Sequence, residues 1–323
     1  MDILVKNLLD AFSVSSREDE IRNIIKEELK EIENQNNIKL EIKEDKLGNL
    51  IVKLGEGKEK LMICTHMDSP GLMATFIENS GFIRGTAIGN IKLKTLDSNF
   101  VKFKNGTIGR IGISKDKPSK KDLFIDISAS NREEAIEKVK EGDIASFIGS
   151  YLETESRIVS PNLHSKIGCY ILLKAIKEIK KIDKEIYFVF SAQKEVEYRG
   201  ARAAAFQIEP DECIVLDGIE AGDSIGGNEK IKLENGPAVS IFDKSLVIHH
   251  EIKEKIENAA KKINVGFQYS ISDEKNEGGF IHKEIGGIKT GMIGIPCRYM
   301  NTVGEMISLS DVENTISIIK ALL

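Results

Sequence analysis

The feature that most constrains this chain is the apolar run Ile186-Tyr-Phe-Val-Phe190. It leads into Ser191-Ala-Gln-Lys-Glu-Val-Glu-Tyr-Arg-Gly200 and then into the small-residue stretch Gly200-Ala-Arg-Ala-Ala-Ala205. A continuous apolar run has no face to offer to water, so it reads as a strand covered on both sides. Such a strand, leading through a polar turn into a helix, is the unit of an α/β fold. The turn then lies at the carboxyl end of the strand, where ligands and reactive groups gather in open sheets. Glu195 suits metal or proton chemistry. Lys194 beside it does not suit a metal site.

Two further apolar runs end in the same way. Lys60-Leu-Met-Ile-Cys-Thr65 runs into Thr65-His-Met-Asp-Ser-Pro-Gly71, and Glu212-Cys-Ile-Val-Leu-Asp217 ends in an acid. If these strands are parallel neighbours, His66, Glu195 and Asp217 converge on one sheet edge. His164 and Asn301 come from loops on that edge. Asp68 is placed to reach back to the His66 ring, as a carboxylate does when it fixes the tautomer of a metal-binding histidine. Elsewhere the pattern predicts helices over 2–12 and from Arg17 to about Glu33, with Ser15 or Ser16 as N-cap. Further helices are expected from His164 to about Lys181, over 200–207, 245–264 and near 279–285, and over Ser310–Leu322 with a Ser310/Glu313 capping box. Strands are expected at 39–44, 49–54, 267–272 and 289–294.

Between residues 72 and 155 the texture changes to short strands alternating with Gly-rich turns, interrupted by one helix over Asn131–Val139. This reads as a small β-rich module inserted into the α/β unit. The expected division is a domain of residues 1–71 and 156–323 with an inserted domain of 72–155. The chain has 323 residues, 41% hydrophobic and 30% charged, with net charge −5. That is enough apolar content for a core. No basic patch interleaved with aromatics points to nucleic acid, and no run is long enough to span a membrane. Cys64, Cys169, Cys213 and Cys297 lie far apart in apolar runs, as reduced thiols would. Together these give an expectation of a cytoplasmic protein. His249, His250 and His282 read as capping or surface residues, and Met292 and Met300 as core.

Several of these residues occur together and in order as Asp45-x-x-Gly-Asn49, His66-x-Asp68, Gly168, Gln193-x-Glu195-Val196 with Arg199-Gly200-Ala201, Asp217, Ile295-Pro-x-Arg-Tyr299 and Asp311-Val. In that combination the chain resembles the cytosolic dinuclear-metal aminopeptidases of the tetrahedral, deblocking or glutamyl-aminopeptidase type, over nearly its whole length. The resemblance implies an α/β phosphopeptidase-like catalytic domain, a central mixed, mostly parallel sheet with helices on both faces, and an inserted β-rich, barrel-like domain. It also implies homo-oligomers, from dimers to dodecamers. In the family pattern a His, a bridging Asp and a second Asp hold one metal, and the bridging Asp, a Glu and a C-terminal His hold the other. A further Glu is the general base. His66, Glu195, Asp217 and Asp68 match that pattern. His164 stands at the bridging Asp, Ser165 follows in place of another acid, Lys194 stands at the general base and Asn301 at the last His. Asn276-Glu277 replaces a Thr-Asp pair.

The chemistry of those residues sets the functional expectation. A neutral imidazole binds one ion but does not bridge two, and an amide oxygen is a weak donor. One ion held by His66, His164 and Asp217 is the possible site, with Glu195 as a residual second-site ligand. So zero or one divalent metal (Zn, Co or Mn) is expected rather than a dinuclear centre. A protonated Lys194 cannot take a proton from water, and it is expected to pair with Glu195 or Asp217. The main expectation is a pseudo-peptidase that binds a peptide or small ligand or regulates an active paralogue. The alternative is an aminopeptidase working with a mononuclear site.

Overall fold

A computed structural model describes residues 2–179, 182, 184–228 and 230–323. The chain opens with α1 (Ile3–Asp10) and α2 (Asp19–Asn36), followed by β1 (Glu41–Glu44), β2 (Leu50–Leu54) and β3 (Lys60–His66). Next come β4 (Gly71–Ile77), β5 (Ile83–Ile88), β6 (Phe100–Phe103), β7 (Ile108–Ile113), β8 (Leu123–Asp126), α3 (Arg132–Lys138) and β9 (Ile144–Ile148). The remainder runs through β10 (Leu152–Glu153), β11 (Arg157–Ser160), α4 (Leu163–Lys177), β12 (Glu185–Ser191), α5 (Arg199–Ile208), β13 (Glu212–Glu220) and β14 (Ala238–Phe242). It finishes with α6 (His250–Lys262), β15 (Gln268–Ile271), α7 (Gly278–Ile281), β16 (Lys289–Arg298), β17 (Glu305–Ser308) and α8 (Leu309–Leu322).

Strands β4 to β9 close into a six-stranded barrel with its own apolar interior around Leu72, Val101, Phe103, Ile111 and Ile125. The other strands form one sheet in the order β1-β2-β12-β3-β13-β16-β17-β11-β10, with β14 and β15 added beside β16. The central β12, β3, β13 and β16 are parallel, as expected of apolar runs covered on both faces; the flanking pairings are antiparallel apart from β14 on β15. Because successive side chains alternate, each central strand feeds two cores. Ile63, Phe188, Phe190, Leu216 and Ile293 pack with α1, α2, α4, α6 and α8. Met62, Cys64, Val189, Val215 and Met292 pack with α5 and α7 on the other face.

Helix α4 is almost wholly buried, and its Lys166 is the price of that position. Its ammonium donates to the carbonyls of Leu9 (3.0 Å) and Ala11 (2.6 Å), satisfying the orphan end of α1. Burial pulls this lysine down to about 8. Gly168 lets α4 lie against β3: a Cβ there would come within 2.0 Å of Thr65 Oγ1.

Several local expectations are corrected. Helix α2 starts at Asp19, and Ser15 and Ser16 do not cap it. The Ser15 hydroxyl is drawn to Asp68, and the Ser16 N–H to the Glu18 carboxylate. The Ser310/Glu313 capping box is absent because α8 begins one residue earlier, with Ser308 at the N-cap and Ser310 already inside the helix. The expected end of the helix at Lys181 lies outside the described residues. Strands β11, β14 and β17 are additions to the strands that the apolar pattern predicts; each is short and completes its ladder far along the chain, β11 with β17 and β14 with β16. All four cysteines are buried and free. Among the described residues, no helix is long and apolar enough to cross a membrane.

Candidate active site

Sheet order brings the three strand ends together. β12, β3 and β13 are adjacent and parallel, so the turn after Ser191, His66 and Asp217 meet at one edge. The turn is held by its backbone. The N–H of Ala192 goes to Asn49 Oδ1 (2.8 Å), that of Gln193 to Glu18 Oε1 (3.1 Å), and those of Lys194 and Glu195 to Asp68 Oδ1 (2.8 Å) and Oδ2 (2.9 Å). Four successive amides are thus captured by side chains from three distant segments. Asn49 also donates to the Gly200 carbonyl at 2.9 Å and closes the neck of the loop. Gln193 sits at φ 56, a strained conformation that these bonds sustain.

The Lys194 side chain turns into the cluster. Its Nζ lies 3.2 Å from Asp217 Oδ2 and 3.3 Å from Glu195 Oε1. The expected pairing with Glu195 or Asp217 is found with both. Burial alone would lower this lysine, but Asp217 and Glu195 hold it well above its ordinary value. Burial would likewise raise both carboxyls, and the ammonium keeps them well below the usual carboxylate range.

His66 and His164 flank this ion pair with ring centroids 5.9 Å apart. His66 Nε2 is 3.1 Å from Asp217 Oδ1. Its Nδ1 is 2.9 Å from the backbone carbonyl of Asp68 and 3.5 Å from the carboxylate. Asp68 therefore meets the His66 ring with its main-chain carbonyl and, at the longer distance, with the carboxylate. The carboxylate is engaged by Ser15 (2.5 Å) and the two turn amides. Burial lowers His66, yet Asp217 and Asp68 carry it to about 10. His164 is likewise lowered by burial and carried to about 9, by Glu305 and Glu195.

Glu305 is the residue the sequence did not reveal. Its carboxylate takes the His164 ring (2.7 Å), the His164 N–H (2.9 Å) and the Asn301 N–H (2.8 Å). A single acid at the start of a short strand carries no local signal; only the β17 ladder brings it under α4. Asn301, at φ 64, lines the cleft and contributes backbone bonds, its carbonyl accepting from the Lys92 N–H. Among the described residues His164 Nε2 is buried without a hydrogen-bond partner, 3.5 Å from Glu195 Oε1.

Among the described residues, the donors that could surround one ion are His66, His164 and Glu195, whose ligand atoms lie within 4.8 Å of one another. Asp217, the carboxylate expected in that trio, is paired with Lys194 and His66. The orphaned Nε2 of His164 fits one ion. His164 Nδ1 is held by Glu305 at 2.7 Å, so Nε2 is the ring nitrogen that faces the cluster. The site opens into a cavity of about 1210 Å³ between the barrel loop at Gly89–Leu93 and the sheet edge.

The profile of the M42 glutamyl aminopeptidases matches residues 48–318. The chain belongs to this family. Members of the M42 family are divalent-metal peptidases, and relatives of this chain carry aminopeptidase names. A protein of Acetivibrio thermocellus, named only provisionally as an aminopeptidase, is 40% identical over 98% of this chain and 96% of its own length. An aminopeptidase from Desulfurococcus kamchatkensis superposes with a TM-score of 0.91 at 30% identity, covering 98% of this chain and 92% of its own. The TET1 peptidase of Pyrococcus horikoshii, described as assembling into a tetrahedron or a large octahedral shell, gives 0.87 at 27% identity, covering 99% and 98%. The M42 assignment accounts for the motifs as well as the fold: Asn49, Asp68 and Gly200 build the turn that carries Lys194 and Glu195. His249 and His250 stack at the start of α6, and the His282 ring contacts the Gly278 carbonyl.

Proposed function

We propose that this chain keeps the family's cleft as a binding site for a peptide or small ligand, and that its peptide hydrolysis is lost or impaired. The observation that carries this reading is the buried Lys194 ammonium between Glu195 and Asp217, at 3.3 and 3.2 Å. It supplies the positive charge those carboxylates need, repels a nearby dication, and cannot accept a proton from water. Zero or one divalent ion follows, with Glu195 joining His66 and His164.

A second reading is an aminopeptidase with a mononuclear site. It is favoured by the three converging donors and by the names of full-length relatives, which weigh on this side. An ion held by His66, His164 and Glu195 would supply Lewis-acid activation of water or carbonyl. For that, Lys194 has to leave Glu195, and both imidazoles have to be neutral.

In either reading residues 1–71 and 156–323 form the catalytic-type domain, 72–155 form the inserted domain, and the protein is a cytoplasmic homo-oligomer between a dimer and a dodecamer. Neither reading involves a nucleic-acid or membrane partner. The test is elemental analysis before and after soaking with zinc, cobalt and manganese, paired with release of N-terminal residues from a peptide panel. No metal and no release supports the first reading. One ion per chain with turnover establishes the second. Two ions per chain would overturn both.

A further inference from the structure

One wall of the cavity is polar in a way the Lys194 cluster does not use. Ser240 on β14 pairs with Met292 on β16 on one side and with Ser270 on β15 on the other. Met292 pairs in turn with Val215, two residues before Asp217 on β13. Side chains alternate along a strand and paired residues share a face. Asp217, Met292, Ser240 and Ser270 therefore all project from the same side of the sheet. Their neighbours Leu216, Val239 and Ile293 go to the opposite core, as the alternation requires. All four line the one cavity.

Ser270 is 3% exposed, and among the described residues its hydroxyl has no hydrogen-bond partner. A buried hydroxyl left unpaired costs stability, so one kept at a cavity wall is poised for a ligand atom. The nearby carboxylate of Asp243 is not free to serve that ligand. It is bonded to the Ser245 N–H (2.6 Å) and hydroxyl (2.7 Å), the Leu246 N–H (2.9 Å) and the Asn276 amide. What this wall offers is two small hydroxyls beside a thioether.

We propose that the Met292–Ser240–Ser270 row is a side-chain subsite that selects a short hydroxyl or carboxamide side chain (Ser, Thr or Asn) in the bound peptide. This rests on the peptide-cleft reading of the site. A long aliphatic side chain would strand the Ser270 hydroxyl against carbon. A charged one would meet neutral hydroxyls where it needs a counter-ion.

The experiment is calorimetric titration of the full-length protein with Xaa-Ala-Ala and Ala-Xaa-Ala tripeptides, Xaa being Ser, Thr, Asn, Ala, Leu, Lys or Glu. Peptide integrity is checked by chromatography; where cleavage occurs, the comparison is read as kcat/KM. At one of the two positions Ser, Thr and Asn should bind about tenfold more tightly than Ala, the worth of one neutral hydrogen bond. Ser270→Ala should bring that preference to within about twofold, and Ser270→Thr should restore it. Because the hydroxyl is unpaired in the free protein, Ser270→Ala should melt no lower than the parent, which separates a ligand role from a packing role. Should Ser270→Ala fail to fold, Ser240→Ala reads the same row. A flat response to Xaa, a preference for Leu, Lys or Glu, or a preference that survives Ser270→Ala overturns the subsite alone. No binding to any tripeptide overturns the peptide-cleft reading and the subsite with it.

Discussion

Asp68 Oδ1 accepts the backbone N–H of Lys194 at 2.8 Å, while Asp68 Oδ2 takes the next amide, that of Glu195. A residue matched to the family through its neighbour His66 thus acts mainly on the adjacent strand's turn. It fixes where the Lys194 and Glu195 side chains leave the main chain.

Removing that carboxylate should loosen the turn before it disturbs His66. Asp68→Ala leaves two amides and the Ser15 hydroxyl without their acceptor, at about 1–3 kcal/mol for each group that stays buried. A fall in melting temperature of several degrees is expected, with faster hydrogen exchange at 194 and 195. Unchanged exchange at those amides would show that Asn49 and Glu18 hold the turn unaided.

Lys194→Met tests the ammonium as a stand-in for metal charge. It leaves Glu195 and Asp217 buried without their cation, a loss of roughly 3–5 kcal/mol. Manganese or zinc should then raise the melting temperature of the variant more than that of the parent, with about one ion retained per chain. A variant as stable as the parent in EDTA, and indifferent to metal, would contradict this account of the site.

The buried imidazoles set the sign of the pH dependence. His66 and His164 titrate near 10 and 9 in the folded chain, against about 6.5 unfolded. Their contribution is complete below 6.5 and is lost as pH rises through the folded values. Glu277, pushed up to about 7 by burial, also binds more protons folded than unfolded between about 4.5 and 7. Glu195 and Asp217 are depressed, and their contribution disappears as pH falls below about 4 to 5. The urea midpoint should therefore peak near pH 5 and decline towards pH 8. Glu277→Gln should flatten the part below 7. A midpoint rising from pH 5 to 8 would mean that the imidazoles are neutral.

The barrel loop meets Glu195 at Gly89 and Asn90. Gly89 sits at φ 84, and a Cβ there would lie 2.5 Å from Glu195 Oε2, the oxygen that accepts the Asn90 N–H. Gly89→Ala should destabilise the protein by about 1–3 kcal/mol and shift Glu195. Normal stability in this variant would indicate a loop that relaxes away from the sheet.

The sequence by itself determined the strand ends and the small module between them. Apolar runs closing on His66, Asp217 and the 191–200 turn are local patterns, and burial on both faces follows from composition alone. It also determined that a cation stands beside Glu195 and that an imidazole stands at 164, which limits the chemistry whatever the geometry. Only the tertiary structure decided which atoms meet. Asp68 serves the turn because β12 lies beside β3. Glu305 holds His164 because β17 packs under α4, and Glu195 lies with the two histidines because β12 delivers its turn to their sheet edge. Glu18 and Ser270 gave no signal and Ser15 read as a helix cap, since each acquires its meaning from partners or emptiness many residues away. Hydrogen bonds discriminate over tenths of an ångström, and chain spacing carries no information at that scale once the contact is made across a sheet.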